Sequence, residues 1–248
     1  MLQRWLDARL VWPTVLTLFG LAVLCGLGTW QLQRKAWKEG IVARIEARVT
    51  APPVPLAEFA ARLSPGADIE YTHVSATGRF HHDKERYLYA PGKSGLEWQV
   101  LTPLETAPGR IVWVNRGSVP DRRRAPDTRN EGQVAGTVAV AGLVRQPQAA
   151  TFTPANDVAG NIWHWADIDG LTRSAFPNGG VTALPVVIER DAMPAPPGGL
   201  PQGGVTRLSI PNRHLEYAVT WFGLALTLIG VFAAFAWKRL AEEEGLTV

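Results

Sequence analysis

Five histidines, one cysteine and a short polar-aromatic cluster near the carboxy-terminal end are the side chains equipped to hold a metal or a prosthetic group. His214, Tyr217, Ala218 and Trp221 follow the i, i+3, i+4, i+7 spacing that places residues on one face of a helix. That face combines an imidazole, a phenol and an indole at the edge of a long apolar stretch. Two uses suit it. A flat amphipathic ligand would fit, with the imidazole as an axial donor to iron. Alternatively, Tyr217 and Trp221 anchor a helix at a bilayer surface, and His214 hydrogen-bonds to the rest of the chain.

The other histidines, His73, His81, His82 and His164, offer less. His81 and His82 are adjacent, so on a strand they point to opposite faces and cannot readily share a metal. His164 stands between Trp163 and Trp165, where the same alternation separates it from both rings; a hydrogen-bonded structural role is expected. Ala90-Pro91-Gly92-Lys93-Ser94 imitates the end of a phosphate-binding loop, but Tyr87 occupies the place of its leading glycine. A turn between two strands accounts for the segment. There is no Gly-x-Ser-x-Gly and no His-Glu-x-x-His, and Ser94 and Ser118 read as turn serines. Cys25 is the only cysteine, which rules out a disulfide within the chain and a Cys-x-x-Cys site. Met1 and Met193 are the only thioethers, so a copper chaperone has almost no soft ligands to work with. The chain reads as non-catalytic.

The elements that must position these residues begin with two apolar stretches. No charged side chain occurs from Leu10 to Gln33, nor from Tyr217 to Trp237. Each reaches the roughly 20 residues that a helix needs to cross a bilayer core. Trp12 and Trp30 flank the first, and Trp237-Lys238-Arg239 closes the second with an interfacial ring and two snorkelling cations. After the first span, Trp37, Ile41, Ile45 and Val49 recur every four residues among Arg34, Lys35, Lys38, Arg44 and Arg48. This predicts an amphipathic helical extension, ended by Ala51-Pro52-Pro53-Val54-Pro55.

Between the spans the pattern is that of strands: Tyr71 to Phe80, Arg86 to Ala90, Glu97 to Leu104, Ile111 to Asn115, Val138 to Val144, Val186 to Glu189, and a last one around Val205 to Leu208. Pro120 to Gln133 is charged and bounded by proline, and reads as a surface loop. Asp167 to Ala175 predicts a short helix with Asp167 or Asp169 near its start. No repeat of solenoid period is present. The expected fold is a membrane α+β protein: amino- and carboxy-terminal transmembrane helices flanking one mostly antiparallel β extramembrane domain.

Composition limits the partners. With 25 Lys and Arg against 22 Asp and Glu and no block of like charge, nothing favours nucleic acid; membrane lipid is the expected contact of both spans. Arg4 and Arg9 before an apolar run resemble a signal peptide, but the run is too long and no small-x-small site precedes Trp30, so an uncleaved anchor is expected. No Arg- and Ser-rich transit peptide precedes it, which favours a bacterial inner membrane over a mitochondrial one. Counting cations near the spans places the middle in the cytoplasm, yet that rule weakens for loops beyond about 60 residues. Charge alone leaves the orientation open.

An ordered set of short motifs adds to this reading. Gly28-Thr29-Trp30-Gln31-Leu32-Gln33-Arg34-Lys35 with Trp37-Lys38 resembles the opening of the surfeit locus protein 1 family of cytochrome c oxidase assembly factors. Gly78-Arg79-Phe80, Val100 to Pro103, and Val114-Asn115-Arg116-Gly117 with Val119-Pro120 continue the match. Gly142-Leu143-Val144-Arg145, Phe152-Thr153-Pro154 with Asn156, and Asn161 to Trp165 with Asp167 follow in order. Asn212-Arg213-His214-Leu215-Glu216-Tyr217 with Thr220-Trp221-Phe222-Gly223-Leu224 closes it. Ser118 departs from the pattern, standing where members often carry an aromatic residue, which puts local packing in question.

The resemblance implies an outward-facing domain and so an order along the chain. Residues 1–9 would be a cytoplasmic terminus, 10–33 the first span, 34–50 the amphipathic extension, and 51–210 a periplasmic β-rich domain. Residues 211–237 would be the juxtamembrane segment and second span, and 238–248 a cytoplasmic tail. It also implies assembly of an aa3-type haem-copper oxidase, with haem a passed to oxidase subunit I and haem a synthase as a further partner. The alternative is a scaffold that stabilises an assembly intermediate without binding haem. In the haem-binding case His214 is the axial ligand, Tyr217 and Trp221 cover the macrocycle, and Arg213 pairs with a propionate.

Overall fold

The computed structural model describes residues 9–92, 95–148, 152–206 and 211–243. Two compact units result: a helical one holding residues up to Arg44 together with the carboxy-terminal helix, and a β unit starting at Ile45.

In the helical unit, α1 runs unbroken from Val11 to Thr50 and stops where Pro52 and Pro53 remove donors and force extended backbone. The carboxy-terminal helix covers His214–Glu243. Both are long and apolar enough to cross a membrane, and little of either apolar window is buried. Large side chains such as Leu16, Phe19, Leu226 and Val231 stay exposed. A core helix of a soluble protein would bury them.

The β unit is built from eight strands. They are β1 (Val54–Pro55), β2 (His73–Phe80), β3 (Arg86–Gly92), β4 (Gly95–Ala107), β5 (Arg110–Pro120), β6 (Thr137–Arg145), β7 (Ile162–Trp163) and β8 (Thr182–Arg190). The helices α2 (Leu56–Ala61) and α3 (Ile168–Ala175) lie between them, and α4 denotes the carboxy-terminal helix. Strands β2, β6, β8, β5 and β4 follow one another, and β4 returns to β2 through Arg79 opposite Glu105, which closes a five-stranded barrel. Strands β3 and β7 extend the sheet beyond it.

Antiparallel ladders outnumber parallel ones, but the sheet is mixed: β1–β2, β3–β7 and β5–β8 are parallel. The domain is mostly antiparallel, as expected, and the parallel pairings are what the sequence did not show. Pairing partners depend on where long crossovers land, and the crossover through α3 brings β8 alongside β5 in the same direction.

The barrel interior follows the period of two. Val74 and Ala76, Leu104, Val112 and Val114, Val140 and Val144, and Val186 and Ile188 fill it, and Leu56, Phe59 and Ile69 pack into the same cluster. Strand β5 is apolar on both faces because its outward face is covered too: Trp113 joins Leu101, Val187, Leu171 and Trp163 beneath α3. The indole N–H of Trp113 donates to Thr172 Oγ1 at 3.0 Å, pinning that helix.

Four local expectations fare differently. Helix α3 starts after Asp167, yet the Asp167 side chain makes no capping hydrogen bond. Val205 and Thr206 are not strand, and Arg207 and Leu208 lie outside the described residues. Pro120 to Gln133 forms two 3₁₀ segments rather than a purely surface loop, since Arg129 is buried. Lys93 and Ser94 of the loop-like motif are likewise outside the described residues.

Candidate functional site

Helix α4 begins at His214, immediately after Pro211-Asn212-Arg213. Asn212 helps to start it, its side-chain oxygen accepting from the His214 backbone N–H at 3.4 Å. The stripe His214, Ala218, Phe222, Ala225 and Leu228 turns towards α1. A Cβ on Gly28 would come within 2.7 Å of the Phe222 ring, and one on Gly20 within 3.0 Å of Leu228. Ala218 and Ala225 are buried on the same stripe. Small residues at the crossing bring the helices close, and side chains can then reach across. Gln31 Oε1 lies 2.7 Å from His214 Nδ1, and Lys38 Nζ donates to the Pro211 carbonyl.

The other expected site residues divide. Tyr217 is more than half exposed. Trp221 is half-buried, and its indole N–H is buried without a partner among the described residues. Arg213 donates to Glu216 at 3.0 Å, but both side chains are largely exposed, so the pair is worth little and opens easily. The second ring nitrogen of His214, Nε2, makes no hydrogen bond with a described residue. No group of three His, Cys, Asp or Glu that could hold a metal occurs among the described residues. Cavities of about 600, 410 and 250 Å³ lie in the β unit, lined by barrel and loop residues, and none of them includes His214.

A second polar cluster was not expected from the sequence. Glu85 is buried just ahead of β3, between two buried guanidiniums. Its carboxylate accepts from Arg116 Nη1 at 2.9 Å and from Arg129 Nη1 and Nη2 at 3.2 and 2.5 Å. The Tyr87 hydroxyl and the Gln133 amide donate at 3.3 Å each. Arg116 also donates to the Gly132 carbonyl and approaches His82 Nδ1 at 3.2 Å, while His82 Nε2 donates to the Val134 carbonyl at 2.9 Å. Asn161 donates to the Glu85 carbonyl at 3.1 Å. One carboxylate thus ties the barrel to two loops.

Burial by itself would raise the Glu85 carboxyl; His82, Arg129 and Arg116 outweigh it and hold it down at about 2. His82 stands 3.9 Å away, beyond hydrogen-bond range, so the guanidiniums carry most of that effect. Burial pushes the Tyr87 hydroxyl up to about 12, and lowers Arg116 to about 10 despite Glu85. None of these three groups is poised near neutral pH, as a general acid or base would be. The cluster fastens loops.

Gly117, next to Arg116, has φ +121°, and a Cβ there would lie 2.0 Å from the Gln202 carbonyl oxygen. That close approach allows the Ser118–Gln202 bridge. Ser118 is therefore a bridge residue in β5 rather than a turn serine. His81 and His82 point to separate partners, Glu105 and Val134. His164 packs its ring against Tyr89 at 5.7 Å, with Asn156 Oδ1 accepting from its backbone N–H.

Gln31, Glu85 and Arg129 were missed because nothing nearby in sequence marks them. Arg116 carried a usable signal: a lone cation inside an apolar strand must have a buried partner.

Comparison with known proteins matches residues 18–226 to the SURF1 family model. A SURF1-like protein of Monosiga brevicollis is 39% identical over 237 residues, covering 90% of this chain and 87% of its own. Surfeit locus protein 1 of Takifugu rubripes is 36% identical, with 88% of this chain and 94% of the relative covered. The Homo sapiens protein of the same name is 37% identical, with 81% and 69% covered. The match begins ahead of Gln31 and ends beyond Trp221, taking in most of α1, the whole barrel and the first part of α4, and the chain belongs to the SURF1 family.

Proposed function

We propose that this chain is a non-catalytic assembly factor for aa3-type cytochrome c oxidase, holding haem a at His214 and handing it to oxidase subunit I. Family membership is the observation that carries the assembly role, since the surfeit locus protein 1 family is an oxidase assembly family. The haem step is supported by His214: one ring nitrogen is held by Gln31 and the other has no hydrogen-bond partner among the described residues. Bound there, haem would be cargo, with Tyr217 exposed beside it and Arg213 free to exchange Glu216 for a propionate. The donor set fits. A formed pocket is not part of the fit, and an open site suits a carrier that must release.

Both long helices are proposed to cross a bacterial inner membrane with the barrel in the periplasm. Their exposed apolar side chains support crossing, and the family's outward domain supports the orientation. Membrane lipid, subunit I and haem a synthase are the proposed contacts.

The second reading, a scaffold that never binds haem, draws support from the lining of the three cavities, none of which includes His214. Deleting the chain's gene and measuring haem a and oxidase activity in membranes separates the two. Haem delivery expects residual oxidase depleted of haem a while other respiratory complexes persist. Full haem a occupancy in that residual oxidase would sink delivery and leave the scaffold.

A further inference from the structure

We infer that Gln31 is a positioning residue for His214: its amide oxygen fixes the imidazole in the tautomer and rotamer of a weakly held metal ligand. The inference rests on the haem reading above and adds the residue that tunes the grip.

An amide oxygen only accepts hydrogen bonds, so the 2.7 Å contact between Gln31 Oε1 and His214 Nδ1 places the ring proton on Nδ1. The lone pair of the neutral ring is then on Nε2, the nitrogen that has no partner among the described residues. This is the arrangement of metal-binding histidines generally, where one nitrogen donates to an oxygen and the other binds the metal. Two helices hold it. Gln31 sits in the middle of α1 and His214 at the first turn of α4, and Gly28, one turn before Gln31, sets the approach between them. The orientation is thus built from rigid elements rather than from a loop.

The identity of the acceptor matters as much as its place. A carboxylate partner would draw the Nδ1 proton and make Nε2 a stronger donor to iron; a neutral amide orients the ring with less push. For cargo that must leave, the weaker partner is the useful one. Gln31 therefore sets both how haem is received and how readily it is given up.

The test uses the full-length chain in detergent with ¹⁵N-labelled histidine, titrated with ferric protohaem as the probe. Nitrogen shifts of neutral His214, assigned by their loss in His214→Ala, report which ring nitrogen is protonated. The expected wild-type form is Nδ1–H. Gln31→Leu should lose that preference and bind protohaem 10- to 100-fold more weakly, with the protein still accumulating. Gln31→Glu should restore binding, lower the midpoint potential of the bound iron and slow haem loss to apomyoglobin. A wild-type Nε2–H form overturns the inference, as does unchanged affinity in Gln31→Leu where His214→Ala loses binding; both leave the haem reading standing. Unaltered binding by His214→Ala overturns the haem reading and the positioning role together.

Discussion

Glu85 has been taken out of water and given two cations in exchange, and its energetics follow from that. A buried carboxylate costs several kcal/mol unless it is paired and hydrogen-bonded, and five donors reach this one. Glu85→Gln leaves the guanidiniums of Arg116 and Arg129 without a counter-charge and should cost about 3–5 kcal/mol, read as a lowered unfolding midpoint of the full-length protein. The pH dependence has a definite sign. The folded carboxyl sits at about 2 against an ordinary 4.5, so ionised Glu85 contributes stability above pH 4.5 that is lost as pH falls towards 2. The amount is roughly 3 kcal/mol. Wild-type protein should weaken through that window while Glu85→Gln stays flatter; parallel acid profiles would remove Glu85 from the account. His73 works the other way. Burial opposes its charge, but the Ala51 carbonyl and Asp191 outweigh burial and raise it, so its contribution is complete below pH 6.5 and fades as pH rises through the folded value.

Among the elements, the crossing of α1 and α4 decides whether His214 has a partner. Gly28 is buried, and the Phe222 ring occupies the space its side chain would fill. Gly28→Leu should therefore push the helices apart and separate Gln31 from His214. Phe222 is a flexible side chain rather than backbone, so Phe222→Ala in the same protein should let the helices close again. The expected result is weakened protohaem binding in Gly28→Leu and recovery of a large part of it in the double variant. Equal binding in all three proteins would show that the crossing does not control the site.

At the level of the whole molecule the proposed topology has two spans and so puts both termini on one side. Cys25→Ser gives a background without thiols. In that background Phe152→Cys, at an almost fully exposed position of the β unit, should react with a membrane-impermeant maleimide in spheroplasts. Val248→Cys should react only after the membrane is opened. The reverse pattern would place the β domain in the cytoplasm and remove it from the side where the proposed haem transfer occurs.

Much of this architecture was legible along the chain because it depends on neighbours in sequence. Uninterrupted apolar runs mark α1 and α4, alternation marks β2, β4 and β6, and the doubly apolar Ile111 to Asn115 marks a strand covered on both sides. The i, i+3, i+4, i+7 spacing by itself places His214 and Trp221 on related faces of one helix. What lay beyond reach joins residues far apart. The Arg79–Glu105 closure of the barrel, the parallel run of β8 beside β5 and the burial of Arg129 against Glu85 each depend on where a crossover or loop lands. The partner of His214 is the clearest case. Residue types make His214 a candidate ligand, but 183 positions separate it from Gln31, and only the packing of α1 on α4 puts an acceptor against Nδ1. Local periodicity is written in the order of residues; which distant surfaces meet is decided by the collapse that buries them.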